Sequence, residues 1–380
     1  MDPTHTSPQG RLIYAAGEAC ANLLYASGVM TPDPFLWYAI PGDTGIVMSP
    51  LEVGRARKEA HRGVRVRSLE QAATAWELPN GKRSTVDFIR GLAKASGIRH
   101  WSVPHDFPYG LAVQLRWSRL ILTPVADFFP ERAVKTEAEV ERLRAGVQLA
   151  EAGLARAITI LREATIRRDK VIWRRQVLTA EWLRGEIDAE IARRGGTASH
   201  TITAPGPQGA DCHMSGTGPI LINQPIVLDI FPRVDRTGYF GDLTRTVVKG
   251  QATPTVRRAY EVVQTAQRRA IELVAAGVTG KQIHQLVVEI IAQSEFHTDS
   301  KAVPPHGFFH GTGHGLGLEV HEAPRLSVGN DQPLVAGNVV TVEPGVYYPE
   351  WGGVRLEDVV VVRDGGCENL TTAPFELEIP

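Results

Sequence analysis

Twice in this chain a pair of amphipathic helices runs into a β-rich stretch, and that recurrence limits the folds open to it. In the first round, Thr136 and Glu139 form a Thr-x-x-Glu capping box. Behind it Val140, Leu143, Val147, Ala150, Leu154, Ile158 and Leu161 step by three and four, the period of one helical face. A second helix is expected from residue 179 to about 194, closed by Gly195-Gly196, and residues 226–248 then read as strands. In the second round Pro254 opens a long helix to about residue 276, Gly277 stops it, and another helix runs from 279 to about 293. Residues 339–362 follow as strands. Thr179 and Thr279 open the matching second helices. The repeat is one of topology, with slight identity between the halves, and covers about 134–380.

The boundary before this region falls near Pro130, so the expected domains are 1–132 and 133–380. The first reads as a smaller α/β domain. Helices are expected over residues 10–28, 51–60 and 84–96, and strands over 35–40, 45–48 and 111–122. No ligand-like cluster of histidines and acids occurs there, and a scaffold or substrate-wall role fits it best.

A formal net charge of -1 argues against a nucleic-acid or membrane-surface partner. No apolar run reaches membrane-spanning length, and the first residues lack a basic segment followed by an apolar core, so neither a span nor a signal peptide is expected. Three scattered cysteines, Cys20, Cys212 and Cys367, argue against a disulfide framework and for a reducing, cytoplasmic setting.

The chemistry gathers in the β-rich stretches and in residues 310–324, HGTGHGLGLEVHEAP. Glycines at 311, 313, 315 and 317 strip the backbone around His314, so that a ligand or a second backbone can come close. Alone, this also reads as a glycine-rich turn with surface histidines. It lacks the Lys-Ser/Thr of a phosphate loop. His306 and His310 have the spacing of a zinc-binding helical pair, but Gly307 and two phenylalanines between them oppose a helix. Upstream, Asp229 and Asp242 lie on two expected strands of a hairpin with its turn at 235–238. Downstream, Glu343 and Glu357 enter apolar strands. A lone acid there is costly unless paired or metal-bound. Two carboxylate pairs and one imidazole suit two divalent cations, with oxygen-rich ligation favouring Mn²⁺, Co²⁺ or Fe²⁺ over a thiolate zinc site. Zn²⁺ is also compatible. The alternative is surface acids on an exposed sheet face.

With these pieces in order, HGTGHGLGLEVHEAP, GYFGDLTRT, VEPGVYY and GGVRLEDVVVV, the chain resembles the pita-bread metallopeptidases, most closely their proline-specific branch of Xaa-Pro dipeptidases (prolidases) and Xaa-Pro aminopeptidases. The segment PDPFLWYAIPGDTGIVMSP is similar, more weakly, to the creatinase-type N-terminal domain. The resemblance implies an α+β chain. Its C-terminal part would be a pita-bread fold, two pseudo-symmetric αβ halves around a curved antiparallel sheet. It implies Asp229, Asp242, His314, Glu343 and Glu357 as ligands of two metal ions, with Asp242 and Glu357 bridging. Glu343 would also be the general base for a bridging water. His213 and His321 would hold the tetrahedral intermediate and the scissile carbonyl. His310 and Tyr347 would line the pocket, and Arg355 would meet a substrate carboxylate or orient a ligand. The implied substrate is a proline-containing dipeptide or peptide, and the implied assembly a homodimer.

Two features depart from the family pattern. Asp229 and Asp242 are 13 positions apart, two more than usual, which preserves side-chain parity, and Phe231-Pro232 replaces a usual glycine. Other chemistries on the same fold remain open at this stage. They are a lyase for a small sulfonium substrate, a different aminopeptidase, and an inactive scaffold or chaperone relative, although inactive relatives lose the ligands kept here.

Overall fold

The computed structural model describes residues 10–380, and the expected absence of a signal peptide rests in part on residues outside that range. The chain divides between Arg132 and Ala133 into two compact units.

In the first unit a six-stranded sheet runs in the order Arg65–Ser68, Asp43–Met48, Pro34–Ile40, Gly10–Ala16, His100–Pro104, Ile121–Val125. Two expectations fail here. Residues 10–28 are not one helix: Gly10–Ala16 is a central strand, and only Ala21–Ser27 is helical. That strand packs apolar groups on both faces, with Leu12 in one core and Ile13 in another, so alternation is lost and a helical period appears by accident. Residues 111–122 are not one strand either: Tyr109–Trp117 is a helix and the strand is Ile121–Val125. The strands His100–Pro104 and Ile121–Val125 are parallel, and a parallel pair needs a crossover, which this helix supplies.

The second unit is α+β and repeats its plan. The helices Glu137–Glu163 and Ala180–Arg193 cover a four-stranded sheet of Ile202–Pro205, Pro225–Asp229, Thr244–Lys249 and Glu378–Ile379. Helices Pro254–Leu273 and Gly280–Ala292 cover a five-stranded sheet of Glu322–Leu326, Gly313–Gly315, Val339–Val342, Asp358–Arg363 and Gly366–Asn369. The hydroxyls of Thr179 and Thr279 accept the N–H groups of Trp182 and Gln282, so both second helices begin on a threonine cap. Each half has its own apolar core. Leu154, Leu161, Leu183, Ile187, Leu228 and Val247 meet in one. Val256, Val263, Ile283, Val287, Val340 and Val360 meet in the other. Burying each such side chain contributes about 1.5–3 kcal/mol.

The halves meet where Thr244–Lys249 abuts the ribbon of Gly345–Tyr348 and Gly352–Arg355. The Glu357 N–H donates to the Thr244 carbonyl (3.0 Å), and the Arg355 N–H to the Thr246 hydroxyl (3.0 Å). The long helix crosses the aspartate hairpin at a glycine contact. A Cβ on Gly146 would lie 2.5 Å from the Gly241 nitrogen, and one on Gly241 would collide with the Gly146 carbonyl. Gly241→Ala is therefore expected to destabilise the protein by about 1–3 kcal/mol in urea titrations, by overpacking.

Candidate active site

Every carboxylate singled out in the β-rich stretches lies at a strand end or within two residues of one. Asp229 closes Pro225–Asp229, Glu343 follows Val342, Glu357 precedes Asp358, and Asp242 stands two residues before Thr244. Asp229 is paired in register with Thr244, so Asp242, two residues along, projects to the same face. The Ile230 N–H to Leu243 carbonyl bond (3.0 Å) and the Gly241 N–H to Pro232 carbonyl bond (2.8 Å) carry the hairpin through its longer loop. His314 sits in the strand Gly313–Gly315, where its N–H donates to the Thr341 hydroxyl (3.1 Å). A Cβ at Gly313 would strike the Thr341 carbonyl, and one at Gly315 the Ala323 carbonyl. The glycines thus admit two neighbouring backbones.

The side chains converge. One donor atom each from Asp242, His314 and Glu357 lie within 4.8 Å of one another, all three residues buried. His314 Nε2 is 3.3 Å from Glu343 Oε1 and 3.7 Å from Asp242 Oδ2. Burial lowers the His314 pKa to about 4, so its imidazole is neutral at pH 7, the form that ligates a metal. Burial, then the neighbouring acids, pushes the Asp242 and Glu357 carboxyls well above their usual range, and burial raises Glu343 also. Two carboxylate oxygens, Asp229 Oδ1 and Glu357 Oε1, are buried with no hydrogen-bond partner among the described residues. Orphaned oxygens, crowded acids and a neutral imidazole are what divalent cations would satisfy.

Arg355 donates to Asp229 Oδ2 (2.5 Å) and to the Tyr347 hydroxyl (3.0 Å), and Tyr347 in turn meets His310 Nε2 (2.9 Å). Burial works against the Arg355 charge, but Tyr347, Asp229 and Glu343 outweigh it. The Thr244 hydroxyl, which sequence reasoning passed over, donates to Glu357 Oε2 (2.6 Å). Arg245 was also passed over. Its guanidinium takes the Thr244 and Glu357 carbonyls (3.0 and 2.7 Å) and Asp358 Oδ1 (2.8 Å), clamping the strands of both halves.

These groups open into a cavity of about 1280 Å³. His213 and His321 line it from exposed loops, and His310 lines it from a more buried position. The His321 ring stands edge-on to His314, centroids 4.4 Å apart, and burial lowers its pKa. The His213 N–H is fixed by Asp211 Oδ1 (3.1 Å). Phe231, from the unusual hairpin, forms part of the wall. His306 lies outside any helix and pairs through its backbone with Asp299, so it makes no zinc pair with His310. A cation the sequence reading missed, Arg325, also lines the cavity. It lies opposite His314 in register, and its charge helps lower the pKa of both His314 and His321. Its place four residues after His321 was the only clue.

The sequence pattern of metallopeptidase family M24 matches residues 141–364, more than half of the chain. The chain belongs to metallopeptidase family M24. An Xaa-Pro dipeptidase of Pyrococcus horikoshii is 30% identical over 81% of this chain and 82% of its own length. One of Pyrococcus furiosus is 32% identical over 65% of this chain and 65% of its own, so the chain spans just under two thirds of that relative. An X-Pro aminopeptidase structure from Thermotoga maritima superposes with a TM-score of 0.80 at 24% identity, covering 98% of both chains, and shares the pita-bread fold. The M24 match takes in all four carboxylates and His314, as well as His213, His321 and Arg325. Among the described residues no helix is long and apolar enough to cross a membrane.

Proposed function

We propose that this M24 metallopeptidase hydrolyses the Xaa-Pro bond of dipeptides, using two divalent metal ions, Mn²⁺ first among the candidates, held by Asp229, Asp242, His314, Glu343 and Glu357. The observation that carries this is the convergence of Asp242, His314 and Glu357 donors within 4.8 Å, beside the orphaned oxygens of Asp229 and Glu357. Relatives named Xaa-Pro dipeptidase support the substrate class. The ions, when bound, supply Lewis acidity that makes a hydroxide from water near neutral pH. The protein's own groups do the rest. Glu343, raised by burial, takes a proton at its carboxylate and returns it to the leaving prolyl nitrogen. His321 and His213, on the cavity wall, donate hydrogen bonds to the carbonyl oxygen as it gains charge. Arg355 and Thr244 hold Asp229 and Glu357 in orientation.

Arg325 favours a dipeptide over a longer peptide. Its side chain meets no carboxylate within ion-pair distance among the described residues, and it faces the same cavity. The carboxylate of a free Xaa-Pro dipeptide is the ligand that a guanidinium fork takes best. The deciding experiment measures proline release from Xaa-Pro against cleavage of Xaa-Pro-Xaa, with Mn²⁺ and with chelator. Preference for the longer peptide would make the chain an aminopeptidase, and chelator-resistant activity would end the metal reading. Arg325→Met is expected to raise KM for the dipeptide about tenfold or more, with a much smaller change for an amidated dipeptide.

A further inference from the structure

His321 carries a large share of the proposed reaction, yet no hydrogen bond to its ring is found among the described residues. Beyond its edge-on contact with the His314 ring, its backbone aims it. The turn before it is tight: the Gly317 N–H donates to the Glu319 carbonyl (3.1 Å), and the Phe240 N–H to the Gly317 carbonyl (2.9 Å). The residue after it, Glu322, pairs with Gly315 across a register shift beside His314. The Glu322 side chain then folds back over Gly317, where any Cβ would strike its carboxylate. It ends on Lys135 Nζ at 2.6 Å, with the two side chains only 2% and 8% exposed. Lys135 is anchored in turn. Its N–H donates to the Gly337 carbonyl (2.7 Å), and its neighbours Ala133 and Val134 are tied to Asn338 (2.8 Å to the Ala133 carbonyl). Asn338 leads directly into the strand Val339–Val342 that ends at Glu343.

We infer that the buried Lys135–Glu322 pair is a positioning device that fixes the His321 turn against the strand carrying Glu343. A buried ion pair is a poor source of stability, since desolvation offsets most of the attraction. What it does supply is one geometry. It ties the residue beside His321 to a point on the same sheet as Glu343, so both groups meet the substrate from a common frame. It also accounts for a bare Gly317 in a segment whose other glycines admit backbone. The inference rests on the proposed role of His321 in Xaa-Pro hydrolysis.

The test replaces both charges at once, Lys135→Met with Glu322→Met, because removing one side chain alone breaks this ion pair while leaving a charge buried, which can unfold the chain. In the Mn²⁺-loaded protein, hydrogen exchange of the Gly317 and Phe240 amides, which close the turn, should speed up several-fold, with melting and metal content close to the parent. On Xaa-Pro substrate, kcat should drop by about 10–100-fold with little change in KM. His321→Ala should cost far less in this background than in the parent. Unchanged exchange in the turn, or an equal His321→Ala penalty in both backgrounds, would overturn the positioning role. A parent protein that cleaves no Xaa-Pro substrate would instead overturn the functional reading, and the exchange measurement still decides the inference without substrate.

Discussion

A Glu343→Gln protein is expected to lose turnover by about 10²–10⁴-fold while remaining folded. Glu343 stands just past the strand Val339–Val342, 3.3 Å from His314 Nε2, with the Thr341 hydroxyl 3.4 Å from its Oε1. It lines the cavity and has a pKa raised by burial, which a proton carrier needs. The amide keeps the shape and one oxygen for ligation but cannot take up the proton. Folding should survive, because a neutral side chain relieves the crowding of acids. Single-turnover rates on an Xaa-Pro dipeptide, with metal content measured on the same sample, check this. Turnover within a few-fold of the parent at full metal loading would remove Glu343 from proton transfer.

Metal removal is expected to turn the site into a pH-dependent liability. Asp242 and Glu357 are raised well above the usual carboxyl range, and Glu343 is raised, first by burial and then by neighbouring acids: Asp229 and Glu343 for Asp242, Asp242, Glu343 and Asp229 for Glu357, and Asp229 for Glu343. The folded metal-free protein therefore holds protons that the unfolded chain releases. Its stability is greatest below the unfolded carboxyl value, near pH 4, and falls as pH climbs toward the raised folded values. Each unit of upward shift costs the folded state about 1.4 kcal/mol once both forms are ionised. Each kcal/mol moves the melting temperature of a domain this size by about 2–4 °C. Other groups titrate over the same range, and Glu137 and Glu368, lowered by Arg363, act in the opposite sense. The clean comparison is therefore metal-free parent against metal-free Glu357→Gln. The variant should melt higher at pH 8, and the gap should close near pH 4. Mn²⁺ should reverse the order at pH 8, because the cations neutralise the acids that the parent alone presents in full. Equal melting curves at pH 8 without metal would mean that the acids are not crowded.

What could be read in advance divides along a physical line. The helix pairs of the second unit were legible because a helix that buries one face must repeat every three to four residues. The long helix Glu137–Glu163 announces itself by its cap and by that period. The strand Gly10–Ala16 was not legible, since a strand covered on both faces has no reason to alternate. The acids stood out because a charged group in an apolar strand has few inexpensive explanations. Asp229, Asp242, Glu343 and Glu357 do share one cavity with His314.

By itself the sequence determined the helix pairs, the residues able to ligate and the family motifs that contain them. Local periodicity and the cost of a lone buried charge are properties of short stretches. The tertiary structure alone decided which distant residues are paired around the site. Lys135 reaches Glu322 across 187 residues, Arg245 clamps Glu357 across 112, and Arg355 reaches Asp229 across 126. Such partners have no signature in sequence, because a bond of under 3 Å between distant residues exists only once both backbones have been packed into place.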